Sequence, residues 1–186
     1  IAEKKLDVVL ANHNTPEQVV LSGSTEGINS ALQVFKIAGI RGQKLTVGGA
    51  FHSPLMADST EPFAEFVKGM KWNKLEKSVY ANTTGTKYPT SGTEGQNLLS
   101  EQLISPVKFV DQIRNMYADG VRHFIEVGPG GVLTGLVKAI GVGKDVTIMA
   151  LDKNKGKGAS TGSLDLANFL GQIAAAGLTI DLTKWD

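Results

Sequence analysis

The sequence has no cysteine. That excludes a disulfide framework, a thiolate metal site and a cysteine nucleophile. It has no run of about 18 apolar residues, so nothing in it should span a bilayer. It has little net charge. Nineteen basic and 18 acidic residues leave +1, which gives no reason to expect nucleic acid or a membrane surface as a partner. Histidine is scarce: only His13, His52 and His123. They lie far apart, without His-x-x-x-His or paired Asp/Glu spacing, so no metal site is expected. Ile1-Ala2-Glu3-Lys4-Lys5 has neither an initiator Met nor the apolar stretch of a signal peptide. The chain therefore reads as starting inside a longer polypeptide, and as cytoplasmic.

What is present is an ordinary globular composition over 186 residues, 41% hydrophobic and 20% charged. Residues 7–11 and 18–22 read as strands separated by turn signals. A helix follows, with Ser24 or Thr25 as N-cap, Ile28, Leu32 and Phe35 on one face, and Gly39 as its stop. Residues 44–50 read as another strand. Residues 54–70 carry Phe63, Phe66, Val67 and Met70 at helical spacing, with Pro62 in the first turn and Ser59 or Thr60 near the cap. A strand over 78–83 and a turn-rich loop over 84–93 come next. Helices are expected over 96–104, 106–119 and 132–140, and strands over 123–127 and 146–151. A Lys/Gly-rich loop over 153–162, a helix over 164–176 and a strand over 178–182 complete the pattern. Alternating strands and helices imply a mainly parallel sheet covered by helices.

His52 follows the expected strand 44–50 directly. A histidine held at a strand end can serve as a general base over a cleft. On local sequence alone the plainer reading is a histidine that hydrogen-bonds a turn. His13, flanked by two Asn, reads as an exposed loop residue, and His123 as structural. Gly158-Ala159-Ser160-Thr161-Gly162 fits the Gly-x-Ser-x-Gly nucleophile pattern, but a Lys/Gly-rich loop separates it from any strand, and the elbow requires a strand running straight into the turn. Gly128-Pro129-Gly130-Gly131 invites a phosphate-loop reading. Leu133 stands where the third glycine belongs, so a tight strand-to-helix turn is preferred.

Several segments together resemble one family. Residues 11–23, Ala-Asn-His-Asn-Thr-Pro-Glu-Gln-Val-Val-Leu-Ser-Gly, are similar to a stretch of malonyl-CoA:acyl carrier protein transacylases and of acyltransferase domains in polyketide and fatty-acid synthases. Gly49-Ala50-Phe51-His52-Ser53-Pro54-Leu55-Met56 resembles their catalytic-histidine motif. Val79-Tyr80-Ala81-Asn82-Thr83-Thr84-Gly85, Gln102-Leu103-Ile104-Ser105-Pro106-Val107 and Phe124-Ile125-Glu126-Val127-Gly128-Pro129-Gly130 resemble three further motifs, in the same order. The resemblance covers the C-terminal portion of such domains.

It implies an α/β fold: a ferredoxin-like small subdomain over 1–50, the C-terminal part of an α/β-hydrolase-like acyltransferase core over 51–150, and a closing loop, helix and strand over 151–186. It implies ping-pong transfer of malonyl from coenzyme A, through a serine ester, to the phosphopantetheine thiol of an acyl carrier protein. No bound cofactor is implied. His52 would be the general base, oriented by the backbone carbonyl of Gln102. Phe51, Ser53 and Asn14 would contact substrate, with Phe51 favouring malonyl over methylmalonyl. The family's Gly-His-Ser-x-Gly elbow, carboxylate-gripping arginine and oxyanion-hole groups are absent here and expected upstream, in a missing N-terminal half. Apolar faces meant for that half should make the chain aggregate or require its partner. Other synthase domains are further expected partners. The competing readings are a non-catalytic carrier-protein docking or scaffold module and a serine hydrolase using Ser160.

Overall fold

A computed structural model describes residues 6–152, 161–181 and 183. The chain is mixed α/β and divides into two compact units, Ile1–Asn115 and Met116–Asp186.

The first unit opens with β1 (Val8–Thr15) and β2 (Gln18–Gly23), paired antiparallel. Only Pro16 and Glu17 link them, with the Glu17 N–H donating to Thr15 Oγ1 at 3.2 Å. A two-residue link permits a hairpin and forbids a parallel crossover. The register shifts at Ala11 and again at Asn14, and such bulges re-aim the side chains around them. Helix α1 (Thr25–Ile37) starts where Ser24 Oγ accepts from the Gly27 N–H at 3.0 Å. Gly27 lies so close to the Asp7 carbonyl oxygen that a Cβ would collide with it. Gly39, at φ +69°, follows the helix end.

A 3₁₀ turn, Pro54–Met56, leads directly into α2 (Ala57–Gly69). Helix α3 (Gly92–Ser100), a second 3₁₀ turn (Glu101–Leu103) and α4 (Phe109–Ala118) follow. The Gln96 side-chain amide donates to the Val67 and Met70 carbonyls at 3.0 and 3.1 Å, satisfying the free end of α2. Trp72 packs on α3, where a Cβ on Gly95 would lie 2.6 Å from its Cζ2.

In the second unit, β3 (His123–Pro129) and β4 (Thr147–Asp152) pair in parallel across α5 (Val132–Ile140), and α6 (Thr161–Ala175) packs on β4. Phe124, Val137, Ile140, Met149 and Phe169 are its buried apolar residues.

Several sequence expectations are corrected. Among the described residues the sheets are two pairs, one antiparallel, not one mainly parallel sheet. Residues 44–50 form no strand, because no described segment offers them a hydrogen-bond ladder. Residues 78–83 make only a bridge from Tyr80 to Lys87, because the chain doubles back at Gly85, φ +73°. Residues 178–181 form no strand, and Leu182 lies outside the described residues. Helix α2 begins before Ser59, so Pro62 stands inside it rather than in its first turn. His13 lies within β1, half-buried, rather than on an exposed loop. The Ser160 pattern falls mostly outside the described residues.

Candidate active site

The site is built around a single turn. Ser53 is buried, 1% exposed. Its hydroxyl donates to the Ala50 carbonyl at 2.6 Å and accepts from the Leu55 N–H at 3.3 Å. Phe51 and His52 are held in the bend between those two ties. His52 has φ +60°, the one non-glycine residue at positive φ among the described residues. That conformation costs about 1–3 kcal/mol and persists only where its surroundings enforce it. Here the His52 N–H donates to the Leu103 carbonyl at 2.9 Å.

The ring is then steered from the opposite segment. His52 Nδ1 lies 3.0 Å from the Gln102 carbonyl oxygen and 3.1 Å from that of Ser105. Carbonyl oxygens only accept, so Nδ1 must carry the proton. The neutral ring therefore presents Nε2 as an acceptor, and among the described residues Nε2 has no hydrogen-bond partner. An imidazole fixed in that tautomer can take a proton from a hydroxyl or thiol placed at Nε2.

The carbonyls are themselves anchored. The Ile104 N–H donates to the Glu101 carbonyl at 3.2 Å. Beyond Pro106, the Val107 N–H donates to the Ala11 carbonyl at 2.8 Å, and the His13 N–H to the Val107 carbonyl at 2.9 Å. Strand β1 thus holds the segment that orients the ring.

Of the sequence-derived site residues, the structure brings His52 and the Gln102 carbonyl together. Phe51 adjoins them and is 48% exposed. Ser53, expected to contact substrate, is instead buried at 1% exposure, with its hydroxyl taken up by the Ala50 carbonyl and the Leu55 N–H. Asn14 sits at the bulge of β1, half-buried. The Ser105 carbonyl was not read from sequence, and no side-chain signal could have found it.

In the second unit, Glu126 was likewise missed. Its carboxylate accepts from the Leu133 and Thr134 N–H groups at 3.1 and 2.7 Å, filling the N-terminus of α5. Burial raises its pKa, but the hydrogen bonds from Thr134, Leu133 and Val132 outweigh this and hold it below the usual glutamate value. Gly130, at φ +97°, completes the strand-to-helix turn, and its N–H donates to the Asp152 carbonyl at 2.6 Å. That helix end is occupied by a side chain rather than left open for phosphate. Arg122 stacks over the Tyr117 ring at 4.1 Å and pairs through Nε with Asp145 at 2.6 Å. This exposed cluster ties loop ends together and was not anticipated.

The acyl transferase domain family matches residues 2–176. The chain belongs to that family. It is 39% identical over 134 residues to the malonyl CoA-acyl carrier protein transacylase of Bacillus subtilis, covering 72% of this chain and 42% of that protein. It is 31% identical over 176 residues to a phenolphthiocerol synthesis polyketide synthase of Mycobacterium marinum, covering 94% of this chain and 8% of that protein. The solved malonyl CoA-acyl carrier protein transacylase of Clostridium perfringens superposes with a TM-score of 0.82 at 30% identity, over 95% of this chain and 53% of that one. This acyl transferase family member thus spans about half or less of the relatives it matches.

Proposed function

We propose that this chain supplies the histidine half of a malonyl-CoA:acyl carrier protein acyltransferase. The observation that carries the reading is the ring of His52, whose Nδ1 is bound by two main-chain carbonyls. A serine from a complementary half gives its proton to Nε2 as it attacks the malonyl thioester. The tetrahedral intermediate collapses to a malonyl-serine ester, and the coenzyme A sulfur leaves with that proton. The phosphopantetheine thiol of the carrier protein then loses its proton to Nε2 and attacks the ester. Its collapse returns the proton to the serine and leaves malonyl on the carrier.

Phe51 fills the space that a 2-methyl group would need, favouring malonyl by about 1–3 kcal/mol. Asn14 lines the mouth of the substrate site. Ser53 supports the substrate loop from beneath. Residues 1–50 act as a small subdomain, 51–150 as the closing part of the catalytic core, and 151–186 as the closing segment. In the first unit, the exposed Phe66 and Leu55 support an apolar surface that a complementary half would cover. The names of the matched relatives support malonyl-CoA and an acyl carrier protein as substrates.

The test is reconstitution. The chain is mixed with a matching N-terminal acyltransferase half, and malonyl transfer to holo acyl carrier protein is followed. Transfer by the mixture and by neither part alone is expected. Association without transfer would favour a non-catalytic docking module instead.

A further inference from the structure

The hydroxyl of Ser53 does more than its place in the chain requires. As the cap of a three-residue 3₁₀ turn it needs only to accept from the Leu55 N–H, which it does at 3.3 Å. It also donates backwards to the Ala50 carbonyl, and this is the shorter bond, 2.6 Å. That bond closes the bend around Phe51 and His52. It lies on the N-terminal side of the one described non-glycine residue at positive φ, and the cap lies on the C-terminal side. The His52 N–H bond to the Leu103 carbonyl completes the constraint. With the backbone so fixed, the ring falls between the carbonyls of Gln102 and Ser105. Ser53 is 1% exposed, so its hydroxyl is sealed from any ligand in solution.

We propose that Ser53 is a positioning residue whose hydrogen bond to the Ala50 carbonyl holds His52 in its left-handed conformation and thereby fixes the Nδ1-protonated tautomer. Its importance for transfer rests on the function proposed above, while its effect on the ring does not. Without the donor, the Ala50 carbonyl loses its partner and the backbone at His52 relaxes towards an ordinary negative φ. The ring then leaves its two carbonyls, and Nε2 competes for the proton. A residue that merely capped the turn would change stability and leave the ring alone.

The experiment labels the histidine ring nitrogens of this chain, paired with an unlabelled N-terminal acyltransferase half wherever the chain alone aggregates, and reads the tautomer of His52 by NMR, assigned through loss of its signal in His52→Ala. The parent chain is expected to show the Nδ1-protonated form almost alone. In Ser53→Ala the Nε2-protonated population should rise at least fivefold, and Ser53→Thr, which keeps the hydroxyl, should restore the parent pattern. If Ser53→Ala does not fold, Ser53→Cys, which keeps the volume with a weak donor, is read in the same way. A folded Ser53→Ala or Ser53→Cys chain with an unchanged tautomer would overturn the proposal, whatever its melting temperature. In the reconstituted transferase, Ser53→Ala should lower kcat by roughly 10- to 100-fold with KM nearly unchanged, short of the ~10⁴-fold loss when a catalytic-triad histidine is held in the wrong tautomer. If transfer instead survives His52→Ala, the transferase reading fails while the ring spectrum still decides the role of Ser53.

Discussion

Nδ1 of His52 lies 3.0 Å from the main-chain oxygen of Gln102, so the side chain of Gln102 is not what orients the ring. Gln102→Ala should leave the tautomer of His52 unchanged. Malonyl transfer by the reconstituted enzyme should stay within about threefold, since substitutions away from buried or bonded groups cost about 0.5 kcal/mol or less. A large loss would mean that the amide itself takes part.

The left-handed backbone at His52 gives a stability test independent of chemistry. Glycine adopts this region without the Cβ penalty. His52→Gly should therefore be more stable than His52→Ala by about 1 kcal/mol, although both lack the imidazole. Urea unfolding of the two variants checks it, with a higher midpoint expected for His52→Gly at equal slope. Equal midpoints would show that the position carries no strain.

Glu126 should confer stability that depends on acid. Its folded pKa lies below the ordinary value, so its contribution is fully present above the unfolded glutamate range, about 4.3. That contribution is lost as pH falls through the lower folded value. Removing the carboxylate in Glu126→Ala should cost about 1 kcal/mol near neutral pH, as for loss of a helix cap. The difference from the parent chain should shrink below about pH 4. Denaturant titrations at pH 7 and pH 3.5 measure both.

Gly95→Ala sets two effects against each other. Alanine is the better helix former by about 1 kcal/mol, but its Cβ would lie 2.6 Å from Trp72 Cζ2. Overpacking of this kind costs about 1–3 kcal/mol. The clash should win, and the melting temperature should fall. A rise would mean that Trp72 moves freely.

What could be read from the sequence was what is local. Ser24 caps α1 because its hydroxyl needs only the N–H three residues on, and α5 runs over the residues expected from its apolar spacing. Strand formation over 44–50 depends on a ladder partner elsewhere in space, which β-branched and alternating residues cannot name. The cap at Ser53 was missed because Ser59, Thr60 and Pro62 offer equally good local signals for a later start. His52 stood out through its motif, and the Gln102 carbonyl came with the resemblance, but the Ser105 carbonyl did not, because a main-chain oxygen has no letter in the sequence. Glu126 showed the same limit: its partners are the N–H groups of α5, seven and eight residues away.

The central claim is that the imidazole of His52 moves the proton in acyl transfer. Single-turnover malonyl transfer by the reconstituted enzyme, with and without His52→Ala, tests it most directly. A rate lower by at least about 10²-fold is expected, within the 10²–10⁴ range for a general base, with the fold otherwise intact. An unchanged rate in a folded His52→Ala enzyme would contradict it.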